Sequence, residues 1–558
     1  MYSILAINPG HNGSAALVCD GQVVFYIEEE RLSRMKYDGN PFRAMLTALE
    51  EIPIDELVIG GTSAKLSQLP WTYEDAYTAL VRKFNPDVKI TNLGDRHHLG
   101  HAAGAFYNSG FDTAVAVIVD GAGSVHTASI GGSSTTAGYE TESIFRCSYP
   151  GNFEPVYKRY ADATTINFNN GVQEFNNSVT ITKAYEAVSN YLGFGFIEAG
   201  KTMGLAPYGK YDKNIPLFFV EGKGNKSLLV PMYPGGALIN EQECPYLART
   251  QDPKEWHHDF SKVRDIDKNL AWHIQQETQE LLGDLIEFAV EKTGEKNVVI
   301  AGGYGLNCVA NYYYLERFPN LNIYVDPISH DGGTALGLAL LAWHSHSSSS
   351  EIEPLTSLYL GVDPDYTDID FKDLTVKDNV TPDDIAQLLV DQNIVAMFRG
   401  RAEAGPRALG NRSIMFDPRR PDGKDFVNKV KGREWFRPFA GSVLEEHAHD
   451  WFEMRTLKSS PFMMYAINVR SEHLGDIPAV THVDGTCRVQ TVNKEDNEDY
   501  YNLINAFYKK TGVPLIFNTS FNLAGDPLVE TVEDALDTII NSDIKYLYLP
   551  DLKKLISK

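Results

Sequence analysis

Cysteine is scarce in this chain: five residues in 558 (Cys19, Cys147, Cys244, Cys308 and Cys487), odd in number and with no C-x-x-C pair. That excludes a disulfide framework and a thiolate zinc site, and makes a reducing cytoplasm the expected home. Long apolar runs are missing too. No segment approaches the roughly eighteen uninterrupted apolar residues of a membrane span. The opening, MYSILAINPGHNGSAAL, lacks the basic and apolar blocks of a signal peptide and reads as a strand. Positive charge is in deficit: 50 Lys and Arg against 74 Asp and Glu leave a net charge of −24. That balance opposes a broad nucleic-acid footprint, although one local basic groove can still bind phosphate. Low-complexity tracts and solenoid repeats are absent.

What is present is an ordinary globular composition, 43% apolar and 22% charged, in a chain too long for one core. Ser3–Ile7, Ala15–Cys19 and Val23–Ile27 read as strands, the last two joined by an Asp20-Gly21 hairpin turn. Leu57–Gly61, Thr113–Val119 and Asn297–Ala301 read as further buried strands. Leu270, Ile274, Leu281, Leu285 and Ala289 recur at helical spacing. Alternating strands and helices predict an α/β architecture. The serine-rich stretch from His344 to Glu351 is the expected linker, dividing the chain into 1–345 and 351–558. Residues 131–177 hold few periodic runs and many Thr, Asn, Gly and Tyr. They are expected to form a loop-like insertion, either a lid or plain irregular structure.

His97 and His101 lie four residues apart in DRHHLGHAA. On a helix they share a face, about 6 Å apart along the axis, and can chelate a divalent metal. Such a pair alone is more often surface decoration. Two carboxylates add weight: Asp120 ends the apolar run AVAVIVDGAGS, and Asp331 lies in SHDGGT. Two histidines with a carboxylate are a ligand set for Fe(II) and related ions that leave positions open for substrate. His98 and His330 are candidate outer-shell or substrate groups. Glycine-rich turns accompany them: NPGHNGS, DGAGS with Gly121 and Gly123, and GGYGLN with Gly302, Gly303 and Asn307. Exposed N–H groups in such turns bind phosphate or adenine nucleotides, though glycine also serves any tight turn.

The one strongly positive island runs from Met397 to Ala440, with eleven Lys and Arg against five Asp and Glu. FRGRAEAGPRALGNRS contributes Arg407, and KVKGREWFRPF contributes Lys431 and Arg437. Arginine forks and lysine point charges interspersed with Gly, Pro and aromatics suit a triphosphate or acyl phosphate. A solvated basic face would intersperse acidic residues instead. Arg488, Asn518 and Ser520, at polar strand ends, are candidates to complete that pocket.

Taken together, these segments resemble one family, the NodU/CmcH-type O-carbamoyltransferases. The resemblance runs from the opening turn to about Val529. Its motifs are EEERLSRMK, HHLGHAAGAFY, VDGAGS, GKTMGLAPYG, GGYGLNCVAN, HDGGTALG, GRAEAGPRALGNRSIM, VKGREWFRPFA, THVDGTCRVQTV and FNTSFN. The resemblance implies an N-terminal ASKHA-type (actin and sugar-kinase-like) transferase domain and a C-terminal YrdC-like α/β domain. It implies ATP with Mg(II), and carbamoyl phosphate, converted to carbamoyladenylate in the second domain. The carbamoyl group then passes to an acceptor hydroxyl beside a metal, expected to be Fe(II), in the first. By motif, His97, His101 and Asp331 are implied metal ligands, with Asp120 near metal and nucleotide. Arg407, Lys431 and Arg437 are implied contacts of carbamoyl phosphate and the adenylate. Arg488, Asn518 and Ser520 are implied contacts of the carbamoyl or nucleotide moiety, and His11, Lys36 and His330 fall near the transfer site.

Two positions depart from the family pattern. The opening motif usually reads H-D-A-S-A and here is His11-Asn12-Gly13-Ser14-Ala15, and Asp526 stands where glutamate is common. The expected acceptor is a small hydroxylated molecule. A hydroxymethylated pyrimidine in nucleic acid and a small-molecule kinase activity are the alternatives. Oligomeric state is open, with a homodimer among the options.

Overall fold

The computed structural model describes residues 1–62, 75–130, 134–162, 168–219, 228–232, 236–241, 244–248 and 252–558. The chain forms two compact units: unit 1 is Met1–Glu29, Tyr37–Glu255 and Lys262–Thr356, and unit 2 is Glu30–Lys36, Trp256–Ser261 and Ser357–Lys558. Two short segments from the N-terminal half thus belong to unit 2.

Unit 1 opens with β1 (Ser3–Asn8), β2 (Ser14–Cys19), β3 (Gln22–Glu28), β4 (Glu56–Ile59) and β5 (Lys89–Asn92). They form a sheet in the order β3-β2-β1-β4-β5, antiparallel on the β3 side of β1 and parallel on the β4 side. β1 and β2 are buried along their whole length, as their apolar sequences require. Asp20 and Gly21 both take positive φ, the geometry of a two-residue hairpin turn.

A second sheet repeats the pattern. It contains β6 (Thr113–Val119), β7 (Val125–Ile130), β8 (Ser134–Ser148), β9 (Asn152–Asp162), β10 (Phe168–Asn169) and β11 (Gln173–Asn176). β12 (Leu229–Met232) and β13 (Gly236–Ile239) pair separately, and β14 (Asn297–Ala301) and β15 (Asn322–Val325) return to this sheet. The path β9-β8-β6-β14-β15 is again antiparallel on one side of the first strand and parallel on the other. Two sheets of one topology in one unit are what the resemblance to an ASKHA-type domain implies. In both, the turn after the first strand, at His11 and at Asp120, is the place where side chains leave the sheet edge.

Several expectations need correction. The described part of residues 131–177 is mostly strand rather than loop: β8 and β9 form a long hairpin whose inner edge pairs with β6. Its Thr, Tyr and Phe residues suit a pleated, half-buried surface; residues 131–133 and 163–167 lie outside the described residues. The expected linker is helical through Ser347, with His344 buried and stacked on Tyr107 at 4.4 Å. In the helix Asp265–Thr293 the buried stripe runs Leu270, Ile274, Thr278, Leu282, Ile286 and Ala289, not through Leu281 and Leu285. The buried Thr278 keeps the period where an apolar count loses it.

Unit 2 is also α/β. Its strands are β16 (Thr375–Lys377), β17 (Val395–Phe398), β18 (Arg412–Phe416), β19 (Ala440–Leu444), β20 (Ala466–Asn468), β21 (Thr486–Val492), β22 (Leu515–Ser520), β23 (Tyr546–Leu549) and β24 (Lys554–Ser557). They form one mixed sheet in the order β16-β24-β23-β17-β18-β22-β19-β21-β20. All five cysteines are buried thiols outside any disulfide. Among the described residues, no helix is long and apolar enough to cross a membrane.

Candidate functional site

The helix His97–Ser109 packs against the helix Gly333–Ser347 through glycine. A Cβ on Gly337 would lie 2.0 Å from the carbonyl oxygen of Gly100, so any larger residue would push the helices apart. This close crossing brings the first turn of one helix to Asp331, just before the other. His97 and His101 share a face, with their Nε2 atoms 3.2 Å apart. His97 Nε2 lies 3.6 Å from both Asp120 Oδ2 and Asp331 Oδ1, and His101 Nε2 lies 3.8 Å from Asp331 Oδ1. The four residues are buried, and their potential ligand atoms fall within 4.8 Å of one another.

The surrounding polar groups hold these side chains in place. Gly303 N–H donates to Asp120 Oδ1 (2.9 Å), and Thr182 Oγ1 donates to the Asp120 carbonyl (2.7 Å). His97 N–H donates to Ser124 Oγ, while the N–H groups of His98 and Ser124 both donate to Glu140 Oε2. His98 Nδ1 pairs with Ser143 Oγ at 2.8 Å, and burial lowers this ring to about 4. His11, half exposed, places Nε2 3.2 Å from Asp331 Oδ2. Gly332 N–H donates to His330 Nδ1, which leaves His330 Nε2 facing Glu28 Oε1 at 3.4 Å. Asn12 donates its amide to Glu28 Oε2; an aspartate there would set two carboxylates face to face.

The electrostatics favour a cation. Burial works against a charge on His97, but Asp331 and Asp120 outweigh it and raise the ring to about 10. Burial and the neighbouring His97 push His101 down to about 3. Burial opposes ionisation of Asp120, yet the hydrogen bond from His97 holds it well below the usual carboxylate range. Two imidazole nitrogens and two carboxylates, buried and convergent, are a donor set that fits a divalent transition metal.

The expected nucleotide turns have internal duties. A Cβ on Gly123 would lie 2.6 Å from the His98 ring, and one on Gly302, where φ is +88°, 2.4 Å from the Val119 carbonyl oxygen. Gly121 packs against Lys183 and Glu186. The carboxamide of Asn307, expected at the nucleotide, caps the helix Cys308–Arg317 and bonds Gln275.

The second cluster lies in unit 2. Adjacent strands place Arg488, Ala440 and Asn518 in one row, so Arg488 and Asn518 share a face of the sheet. Asn518 Nδ2 donates to Ala408 O (3.1 Å), Ser442 Oγ (3.0 Å) and Gln490 Oε1 (3.3 Å). The Ala408 carbonyl fixes this amide orientation, and the buried Oδ1 has no donor among the described residues. Glu403 Oε1 gathers the N–H groups of Leu409, Asn411 and Arg412, which shapes the loop carrying Arg407. Lys431, at the end of the helix Gly423–Lys431, donates to Ser520 O, Ser520 Oγ and Asn522 Oδ1. Burial lowers Lys431 well below the usual lysine range, with Arg433, Arg437 and Lys36 adding to the effect. Arg433 is depressed by burial, then by Arg437 and Arg488.

Lys36, expected near the transfer site, thus belongs to unit 2 and acts on Lys431. Arg433, Thr519 and Asn522 join the cluster without having been singled out from sequence. Arg433 lies between Lys431 and Arg437 in the same motif, so its position was a readable signal.

Comparison with known proteins agrees across the chain. Residues 59–340 match the family model described as Carbamoyltransferase N-terminus, and residues 386–556 match Carbamoyltransferase C-terminus. Nodulation protein NolNO of Sinorhizobium fredii is 33% identical over 96% of this chain and 77% of its own length. Nodulation protein U of Rhizobium tropici is 29% identical over 94% of this chain and 91% of its own. The 3'-hydroxymethylcephem-O-carbamoyltransferase of Amycolatopsis lactamdurans is 26% identical over 95% of both chains.

Proposed function

Because the chain belongs to the carbamoyltransferase family, we propose that it is an ATP-dependent O-carbamoyltransferase with one half-reaction in each unit. In unit 2, YrdC-like by resemblance, water attacks the phosphorus of carbamoyl phosphate, the P–O bond to the carbamoyl group breaks, and carbamate and inorganic phosphate form. A carbamate oxygen then attacks the α-phosphorus of ATP, the bond to pyrophosphate breaks, and carbamoyladenylate forms. In unit 1 the acceptor oxygen bonds to the carbamoyl carbon, the bond to AMP breaks, and the hydroxyl proton leaves.

The observation that carries this reading is the buried cation cluster of unit 2. Lys431 and Arg433 are lowered by burial and by the neighbouring cations Arg437, Arg488 and Lys36, and phosphate oxygens would supply an opposing charge. Lys36 adds to that field, and Arg407 would join it by the family motif. Preorganised cations of this kind stabilise charge as it develops on a leaving phosphate. Asn518 Oδ1, buried and locked as an acceptor, suits the NH₂ of the carbamoyl group, and Ser520 lies beside Lys431. Burying an unmatched acceptor is unfavourable, so a donor lacking that NH₂ binds less well.

In unit 1, His97, His101, Asp120 and Asp331 would hold a divalent ion, Fe(II) by the family resemblance. Such an ion supplies Lewis acidity toward a carbonyl or hydroxyl oxygen. His11 stands at the rim to receive the hydroxyl proton, Asp331 orients it, and Glu28 with Asn12 orients His330.

The test is product analysis with ATP, Mg(II) and carbamoyl phosphate. AMP and pyrophosphate are expected, with acetyl phosphate a poor substitute. ADP as product would identify a kinase and end this reading.

A further inference from the structure

The motif EEERLSRMK supplies the segment Glu30–Lys36, which packs with unit 2 although the residues on either side of it belong to unit 1. Two of its arginines end on backbone carbonyls of two different loops. Arg31 is buried, and donates from Nη2 to Gly405 O (2.8 Å) and from Nη1 to Glu403 O (3.5 Å). Arg407 follows in the same loop, whose later N–H groups the Glu403 carboxylate gathers. Arg34 donates from Nη1 to Leu528 O (2.6 Å) and from Nη2 to Pro527 O (3.2 Å), and its Nε lies 3.5 Å from Asp534 Oδ1. This second loop leaves the sheet at Ser520 and Asn522, where Lys431 ends, and returns where Val529 N–H donates to Phe521 O (3.1 Å). The two loops also meet directly: Phe521 N–H donates to Arg412 O (2.9 Å), and Arg412 Nη2 to Glu530 O (3.2 Å). The backbone of Arg34 sits at a φ of +59°, which costs an L residue free energy that glycine would not lose. The contacts of its guanidinium offset that strain.

We propose that Arg31 and Arg34 are positioning residues of the donor-activation site in unit 2, each clamping one of the two loops that carry Arg407 and Ser520. The inference rests on the carbamoyl-transfer reading above. A guanidinium fork set on two carbonyls of one loop fixes the direction of the peptide planes as well as their place, whereas a lysine would hold a single point. The first loop needs such a clamp. Gly405 (φ +79°) and Gly410 (φ +121°) bracket Arg407, and glycine by itself leaves a backbone free to turn. Arg31 takes the carbonyl of the first of these glycines, and Glu403, Gln490 and Tyr359 hold the backbone just before the second. In the second loop, Arg34 fixes the returning limb while Lys431 holds the start. Groups that meet charge developing on phosphate must be in place beforehand, and a shift of about 1 Å is enough to cost much of the rate. Lys36, just beyond Arg34, adds its charge to the field at Lys431, and the same anchor holds it there. The two arginines act through the loops; the bond-making groups remain those already named.

The experiment uses the full-length, metal-loaded protein with ATP, Mg(II) and carbamoyl phosphate. Pyrophosphate release, Tm and metal content are read for Arg34→Gly, Arg34→Lys and Arg31→Lys. Arg34→Gly relieves the positive φ while it removes the fork, so the Tm should stay within about 4 °C of wild type. The KM for carbamoyl phosphate in that variant should nevertheless rise about tenfold or more, with a lower kcat. Arg34→Lys keeps a charge and one point of attachment, and should recover part of the loss. Arg31→Lys should raise the same KM to a similar degree; should it fail to fold, the two Arg34 variants decide the matter. Metal content should equal that of the wild type in every folded variant. A KM within about twofold of wild type in Arg34→Gly would make Arg34 a turn residue only and overturn the proposal. A kcat that falls only as far as the folded fraction does, at unchanged KM, would overturn it equally. Absence of pyrophosphate release from the wild type would instead refute the underlying reading, and this inference with it.

Discussion

In unit 1, two buried carboxylates converge on two imidazoles, and Asp331 and Asp120 raise the His97 ring against the effect of burial. In unit 2, buried Lys431 and Arg433 push against Arg437, Arg488 and Lys36, and their hydrogen bonds go mainly to neutral oxygens. The first cluster suits a cation and the second suits anions. Under the proposed function, this difference would let one chain separate two chemistries. Activation of the donor needs phosphate charge neutralised, whereas transfer to a hydroxyl needs an electrophilic ion and a place for a proton.

If the two clusters differ in this way, changes in one should not imitate changes in the other. Lys431→Ala should have the largest effect. It removes contacts worth about 2–3 kcal/mol, roughly a 100-fold loss of pyrophosphate release, while metal content is unchanged. Loss of metal in that variant would show that the clusters are not separate. His101→Ala should do the reverse, with metal content falling and acceptor carbamoylation vanishing while ATP binding persists; both are read by metal analysis and calorimetry.

A smaller effect concerns pH. Lys431 is lowered from 10.5 in the folded protein, so the unfolded chain binds more protons across the window between the two values. Its contribution to stability therefore rises with pH through that window, and below it the protonated lysine is fully unfavourable. Pyrophosphate, which pairs with the charged form, should raise the Tm of the protein more at neutral than at alkaline pH. A larger gain at alkaline pH would contradict this assignment. Smallest of all, Thr381→Ala removes the capping box of the helix Pro382–Val390, which should cost about 1 kcal/mol of unit 2 stability and leave both sites active.

Much of the fold was legible because apolar runs in β1, β2, β6 and β14 are buried on both faces, and such strands announce themselves in sequence. The region 131–177 was harder. Its strands mix Thr, Tyr and Glu, and the buried Glu140 and Glu142 break the expected alternation because Lys158 and Arg159 from β9 balance them. The i,i+4 spacing of His97 and His101 carried half of the first site. Asp120 was readable as the carboxylate that ends an apolar strand, whereas Asp331 reaches the site through the Gly100–Gly337 helix crossing, and tertiary packing of that kind is invisible to periodicity. In the second site, Lys431 and Arg437 stood out by charge, whereas Asn518 matters through an orientation fixed by the Ala408 carbonyl. Assignment of residues 30–36 and 256–261 to unit 2 likewise depends on long-range packing alone.

The most direct test of two separable half-reactions is exchange of labelled pyrophosphate into ATP by wild-type enzyme freed of transition metal and supplied with Mg(II) and carbamoyl phosphate. The account predicts exchange at the rate of the metal-loaded enzyme, with no carbamoyl adduct formed on any acceptor until metal is restored. Exchange that disappears with the metal, or carbamoylation that continues without it, would contradict the division of labour between the two units.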